Sequence, residues 1–311
     1  MFNWFNDQRF GVLTVRVLLL MAIGMSLLPF EPSPDAVTGG DVTFLSRVPQ
    51  EELQDPLVVY GFQVVVVLAS VFWLLNWLSP WSCWVVVASF AGLSALRIEN
   101  STELCHSYWL LWMLLVVHAL WYSFYSSPLR SSSPGGTNRN YPAWVYCLCV
   151  LVLAWFHTLS GIGKWMAADP DWANGWKWAD GVSLQMWLQM FGNPDSRLVR
   201  FLLQEVDVAR VVQQAILVIE LTAILAIFTP TLRRFVGVAL VVYYAFFLHC
   251  FVDWDSVLGR WGVGAETVEL ASGASFPLMS YGFFLFWVCW MFFVPDRLLG
   301  SWAQKSPSPS E

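Results

Sequence analysis

A histidine and a lysine lie two helical turns apart at the end of a long apolar stretch. His157 and Lys164 are seven residues apart, which on a helix places them on one face, about 10 Å apart along the axis. Gly161 and Gly163 precede the lysine, and small residues allow a neighbouring helix or a ligand to approach the backbone closely. A covered lysine is desolvated, and desolvation favours the neutral amine, which can act as a base.

A lysine at the end of an apolar helix also has a purely structural interpretation. Its long apolar stem can extend along the helix so that the ammonium reaches the phosphate layer of a membrane. The residues around Lys164 are compatible with both interpretations, so the sequence alone leaves open whether this amine is a base or an anchor.

Three other histidines and one glutamate also belong to apolar stretches. His106 begins one stretch, His249 ends another, and His118 and Glu220 lie well inside theirs. Ionisable groups at membrane depth are costly, so they usually face the interior of a helix bundle and mark a site. Each histidine could instead make a single interhelical hydrogen bond, the interpretation that we favour for His118. Glu220 needs a partner, and either His157 or His118 would serve.

The chain as a whole is too apolar for a soluble globular protein of 311 residues. Hydrophobic residues make up 57% of it and charged residues only 12%, which predicts a polytopic protein of the lipid bilayer. The net charge is -6 and the basic residues are scattered singly, so nucleic-acid binding is excluded. The six cysteines lie in or beside apolar runs, where they act as small buried hydrophobic residues rather than as a disulfide framework or metal site.

Eight apolar runs are each about as long as a membrane span. We therefore predict an all-α fold of about eight transmembrane helices in a single domain, residues 11–294. The predicted spans are residues 11–30, 57–78, 81–96, 105–125, 143–163, 210–229, 235–252 and 276–294. A short segment, residues 1–10, precedes them, and a partly disordered tail, residues 295–311, follows.

Tryptophans are concentrated after the fifth predicted span. The tryptophans and glycines of this stretch are Trp165, Trp172, Trp176, Trp178, Trp187, Gly175 and Gly181. Indole rings favour the headgroup region, where one edge is wet and the rest is apolar. The stretch is therefore expected to form an interfacial helix or loop.

Lysines and arginines in short loops predict the orientation. The positive-inside rule places both termini in the cytoplasm and the acidic loop of residues 31–56 outside. His106, Lys164 and His249 then fall at the outer ends of three different spans, so we expect them in one leaflet. The membrane would be a bacterial inner membrane or a eukaryotic endomembrane, and only a eukaryote would glycosylate the outside sequon at Asn100.

Four short motifs resemble the membrane domain shared by vitamin K-dependent γ-carboxylase and its bacterial relatives, the horizontally transferred transmembrane (HTTM) family. The motifs are Ser160-Gly161-Ile162-Gly163-Lys164-Trp165, then Asp171-Trp172 with Gly175, His106-Ser107-Tyr108, and Phe247-Leu248-His249-Cys250. Arg16, Glu220 and the pair Phe276-Pro277 are also similar to family features. The similarity covers nearly the whole chain in the order found in the family.

The resemblance implies that Lys164 deprotonates an isoprenoid quinol and that His106 supports carbanion formation or carboxylation. The residues that we predict around the cofactor are His157, Gly161, Trp165, Trp172, Gly175, Glu220 and His249. This chain has Gly163-Lys164 where the carboxylase has two lysines, and its sequence ends soon after the eighth predicted span, where the carboxylase continues into a lumenal domain. Carboxylation of protein glutamates is therefore not expected to carry over.

Two functions of different classes follow from these residues. The first is a membrane protein that binds a quinone-like or lipid ligand near the outer leaflet, with carboxylase-like or oxidoreductase-like chemistry for which Lys164 is the base. The second is a non-catalytic scaffold or a transporter-like protein whose intramembrane histidines only join helices.

Overall fold

Helices account for all the regular structure in the described part of the chain. The computed structural model describes residues 8–27, 55–78, 80–100, 106–124, 143–168, 175–251, 285 and 289–293. These residues form nine α-helices and no strand, which confirms the predicted all-α class. The helices are α1 Gln8–Ser26, α2 Pro56–Leu74, α3 Trp81–Asn100, α4 His106–Phe124, α5 Ala143–Ala168, α6 Val182–Phe191, α7 Arg197–Gln204, α8 Val206–Thr222 and α9 Pro230–Phe251.

Four segments are long and apolar enough to cross a membrane, judged by length and composition. They are Pro56–Leu74, Trp144–Met166, Val206–Ile227 and Pro230–Phe251, and three shorter apolar helices are Gly11–Ser26, Trp81–Arg97 and Tyr108–Phe124. Large apolar side chains are exposed along these helices, including Leu57 and Leu68 on α2, as expected where lipid is the solvent. The chain is therefore a multi-pass membrane protein. Most of the eighth predicted span, residues 276–294, and the loop of residues 31–56 up to residue 54 lie outside the described residues.

The described residues up to Val152 form one compact unit, and those from Leu153 form a second. In the first, α2 begins at Pro56 behind Asp55, whose carboxylate accepts from the backbone N–H of Leu57 at 2.9 Å. The helix ends at Leu74, four residues before the predicted end of the span. The reason is the backbone that follows, in which Asn76 and Leu78 have positive φ angles of 55°.

Helix α3 continues beyond the predicted end of its span at residue 96. Arg97 is buried rather than exposed in a loop, and its guanidinium donates to the carbonyl of Ser26 at 3.3 Å and lies over the ring of Tyr108. In the same unit, His118 is buried with its Nδ1 2.7 Å from the carbonyl of Leu114 in its own helix. The predicted span ends before Arg97 because a charged residue is costly in a membrane. In the structure the carbonyl of Ser26 and the ring of Tyr108 accommodate the guanidinium, so the helix continues.

The second unit contains the end of α5, from Leu153, and the described residues that follow it. Two 3-10 helices, Gly175–Ala179 and Ala223–Ile227, accompany α6, α7, α8 and α9, and a third spans Cys289–Phe293. Helix α8 tightens into the Ala223–Ile227 3-10 helix where the backbone N–H of Ile224 donates to the hydroxyl of Thr158 on α5 at 3.0 Å. The sixth predicted span, residues 210–229, thus begins four residues earlier, at Val206, and is α-helical only to Thr222.

Candidate functional site

An ion pair joins α5 to α8 within two segments that can cross a membrane. The Lys164 ammonium donates to both carboxylate oxygens of Glu220, with Oε2 at 2.5 Å. The Ser160 hydroxyl, one turn before the lysine, donates to Oε1 of the same carboxylate at 3.4 Å. The Glu220 side chain is 3% exposed and that of Lys164 is 24% exposed. The carboxylate is thus buried, whereas about a quarter of the lysine side chain is exposed.

Gly161 permits this pairing because it brings the two backbones together. A Cβ at this position would lie 2.8 Å from the backbone N of Leu221 and 3.1 Å from the Cβ of Glu220. Gly163, by contrast, has nothing within 4 Å of such a Cβ. The expected close approach of a neighbouring helix is therefore found at Gly161, and Gly163 contributes nothing to it.

An indole ring lies beside the ammonium. The Lys164 Nζ is 5.2 Å from the centroid of the Trp178 ring, a cation–π distance. Gln213 positions this tryptophan, because its Nε2 donates to the Trp178 carbonyl at 2.5 Å. Gln213 lies on α8 two turns before Glu220 and is buried, so one helix face carries both the counter-charge and the residue that positions the indole.

Two further tryptophans of this stretch pack together near its beginning. Trp165 and Trp176 meet edge to face, with ring centroids 5.6 Å apart. Gly175 lies so close to the Trp165 indole that a Cβ there would overlap the ring. Trp172 lies outside the described residues.

His157 forms its side-chain hydrogen bond with Tyr244 on α9 and not with Glu220. Its Nδ1 is 2.7 Å from the carbonyl of Leu153, so we assign the proton to Nδ1. Nε2 then accepts from the hydroxyl of Tyr244 on α9, also at 2.7 Å. Neither His157 nor His118 is therefore the partner of Glu220, and both partners suggested by the sequence are wrong, because the carboxylate is paired with Lys164.

The remaining two candidate residues lie in other surroundings. His249, near the end of α9, is exposed and its Nε2 is 3.4 Å from the hydroxyl of Ser196, which caps α7. His249 and Lys164 thus have different partners. His106 begins α4 in the first unit, and its side chain lies outside the described residues. The convergence of these three residues in one leaflet stays a prediction.

Four polar residues of this region had no role predicted from the sequence, although Ser160 is part of the motif that ends in Lys164-Trp165. Ser160 and Thr158 precede Lys164 on α5, Gln213 precedes Glu220 by seven residues, and Tyr244 lies inside α9. Spacing contained a usable signal for Gln213, because it repeats on α8 the seven-residue interval that singled out His157 and Lys164 on α5. No local pattern distinguishes Tyr244, because the residue that it contacts, His157, lies 87 positions earlier in the chain on a different helix.

The arrangement is suited to holding a proton and a hydrogen-bonding oxygen in apolar surroundings. An ammonium paired with a carboxylate is neutral as a unit, which lowers the cost of placing either charge inside a bilayer. An ammonium has three N–H donors, and the two carboxylate oxygens of Glu220 accept from two of them. The third donor can serve a ligand oxygen on the open side of Lys164.

Within the described ranges, no group of three or more histidine, cysteine, aspartate or glutamate side chains could hold a metal ion. No family model, curated protein or solved structure matches this chain.

Proposed function

We propose that this multi-pass membrane protein is a member of the HTTM type that binds an apolar quinone-like or lipid molecule through the Lys164–Glu220 pair. The observation that carries the proposal is the asymmetry of the pair, in which the carboxylate is 3% exposed and the lysine 24% exposed. A pair that only joined two helices would gain nothing from a partly exposed lysine. A partly open ammonium beside an indole suits a ligand with one polar oxygen and an apolar body.

The pair also suggests how Lys164 would act as a base. A lysine in an ion pair holds its proton, so it must first pass that proton to Glu220, which leaves a neutral amine and a neutral carboxylic acid. Apolar surroundings reduce the free-energy difference between the ion pair and the neutral amine–acid pair, because they disfavour both charges. The neutral amine can then accept a proton from a ligand hydroxyl, such as that of a quinol, and become an ammonium again. Glu220 acts in this scheme as the reservoir of one proton.

The resemblance of residues 160–165 to the HTTM motif supports this assignment of roles, and it implies carboxylase-like or oxidoreductase-like chemistry. His106, on a different helix, is the residue that the resemblance implies as a second catalytic group. His249 and the tryptophans around Gly175 would line the ligand. Each of these roles is part of the proposal and is open to the same substitutions as Lys164.

A scaffold or transporter-like function is the second candidate, and specific contacts favour it. His157 is hydrogen-bonded to Tyr244, Thr158 accepts from Ile224, and Gly161 lies against the backbone of α8. These contacts tie α5 to its neighbours and need no ligand. The two functions differ in the role of the exposed part of Lys164. It contacts a ligand under the first function, whereas a scaffold requires only the pairing of Lys164 with Glu220.

The test is co-purification of the ligand with the full-length protein. Isoprenoid quinones and lipids would be extracted from purified wild-type protein, from Lys164→Met and from the control Lys177→Met, and quantified by mass spectrometry. Lys177 is the matched control because it is exposed and lies on the neighbouring Gly175–Ala179 3-10 helix.

We expect one ligand class to be enriched in wild type and in Lys177→Met. It should fall about tenfold or more in Lys164→Met, because a hydrogen bond to a charged group contributes about 1.5–3 kcal/mol. Equal recovery from all three proteins, or no enrichment over an unrelated membrane protein, would refute ligand binding at this pair and favour the scaffold.

A further inference from the structure

Helix α6 is apolar on two opposite faces. On one, Leu184 and Leu188 are buried in a cluster that α7, α8 and α9 complete. On the other, Val182, Met186 and Met190 are 48%, 57% and 68% exposed. These three residues recur every four positions, so they form a continuous row along the helix, called here the outer stripe. With 10 residues, α6 is about 15 Å long and too short to cross a bilayer.

Helices α6 and α7, residues 182–204 and here called the α6–α7 hairpin, lie against the ends of two membrane-crossing segments. At the start of the hairpin, a Cβ on Gly181 would lie 2.7 Å from the carbonyl oxygen of Val206, the first residue of α8. Between the two short helices, the backbone N–H of Asn193 donates to the carbonyl of Cys250, next to the last residue of α9, at 2.8 Å. The hairpin is thus located where α8 begins and α9 ends, which is where these two segments would leave a membrane that they cross.

The backbone donors at the beginning of α6 are satisfied within the protein. The N–H groups of residues 181 and 184 donate to Oε1 of Gln213 at 3.0 and 3.3 Å. Those of residues 182 and 183 donate to Oδ1 of Asp180 at 2.8 and 3.3 Å. A helix N-terminus normally leaves such groups to water, and here two side chains replace the water.

The carbonyl groups at the end of α7 are satisfied in the same way. The Gln185 side chain on α6 donates from Nε2 to the carbonyls of Leu202 and Leu203, at 2.9 and 3.1 Å. Glu205, the residue after the end of α7, closes the helix, because its N–H donates to the carbonyl of Phe201 at 3.0 Å. Internal pairing of backbone groups is the condition that a segment must meet to lie in a low-polarity phase.

We propose that the α6–α7 hairpin lies in the plane of the bilayer boundary, with the outer stripe inserted among the lipid acyl chains. Lipid fits the stripe because α8, against which α6 packs, itself exposes Val211 and Val218 within a segment able to cross a membrane. On α7, exposed Arg197 and Arg200 precede exposed Phe201, the basic and aromatic combination of interfacial helices. The embedding does not depend on whether Lys164 binds a ligand.

Collision of nitroxide labels with two quenchers tests this position. Cysteines bearing a nitroxide would be placed at Met186 and at Gln189, in full-length protein without its native cysteines, reconstituted in phospholipid vesicles. Gln189 is exposed like Met186 and lies at the polar edge of the outer stripe, about 60° around the helix from Met186 and about 20° from Val182. Val242 on α9, exposed within a spanning segment, is the lipid standard. We expect the Met186 label to meet oxygen more often than a water-soluble nickel chelate, as at Val242. The Gln189 label, at the edge of the stripe, should meet the chelate more often than the Met186 label does.

Equal access of the chelate to both labels would show that the stripe faces water, and shielding of Met186 from both quenchers would show that protein covers it. Either result overturns the proposal. A second measurement keeps the native cysteines, namely the unfolding temperatures of Met186→Asp and Gln189→Asp in nanodiscs. Met186→Asp should lower this temperature by several degrees and Gln189→Asp should barely change it, whereas equal temperatures would also count against embedding.

Discussion

Lys164 is held in an ion pair and is also partly open, and these two properties make opposite demands on its charge. The pairing with Glu220 favours the ammonium, whereas a role as base requires the neutral amine. Arginine and methionine separate the two, because a guanidinium keeps the charge but cannot lose its proton near neutral pH, while methionine keeps only the apolar stem.

We expect Lys164→Arg to retain bound ligand and Lys164→Met to lose it, and we expect both to lose deprotonation of a bound quinol. Ligand retention is measured by mass spectrometry, and deprotonation by the absorbance of the quinolate in purified protein. Wild-type quinolate formation in Lys164→Arg would exclude Lys164 as the base.

The stability of the pair is a second prediction at this scale. Lys164→Met leaves the buried Glu220 carboxylate without its counter-charge, which typically costs about 3–5 kcal/mol, while replacing both partners by apolar residues is often neutral. We therefore expect Lys164→Met and Glu220→Met each to be clearly less stable than the double variant, measured by thermal unfolding in detergent. Additive losses in the double variant would mean that the two side chains do not interact.

At the scale of helices, one glycine decides how closely α5 and α8 approach. Gly161 faces α8 and Gly163 faces open space, although the two are separated by a single residue and look alike in the sequence. Tight glycine contacts between membrane helices replace the hydrophobic driving force that lipid cannot supply.

The two glycines form a matched pair for substitution. Gly161→Ala must push α8 away from α5, and overpacking of this kind costs about 1–3 kcal/mol. Gly163→Ala meets no atom and gains helix propensity, so its effect should lie between zero and a stabilisation of about 1 kcal/mol. Unfolding temperatures of both variants, together with ligand retention, check this; equal losses in the two would contradict the close approach of α5 and α8.

Helix type was predictable from the sequence, because apolar runs of span length leave few other folds in lipid. The positions at which helices end were less predictable from the sequence. Leu78 ends an apolar run, but the helix stops at Leu74, since the turn needs residues in the left-handed region. Within the site, the sequence singled out Lys164, Glu220 and His157 but not their pairing, because the partners are contributed by helices far apart in the chain and the relative rotation of those helices is set by packing.

At the scale of the whole molecule, the orientation of the chain is a prediction that rests on its basic residues. Cysteine labelling in a background without native cysteines tests it. A membrane-impermeant maleimide should label Lys177→Cys in intact cells and should label Ser132→Cys only after permeabilisation. The reverse pattern would invert the topology and would move the Lys164–Glu220 pair to the cytoplasmic leaflet.

The distance along the chain between Lys164 and Glu220 has a consequence for synthesis. The two residues are 56 positions apart, so at about 5–20 residues per second the ribosome makes the glutamate roughly 3–11 s after the lysine. During that interval the ammonium waits in the membrane without its counter-charge, and a lysine near a helix end tolerates this by reaching the headgroups. An acidic residue inside a span raises the cost of insertion by up to about 3 kcal/mol. Lys164, already in the membrane, would offset this cost by pairing with Glu220. Replacing Lys164 should therefore impair the insertion of α8, which is translated later.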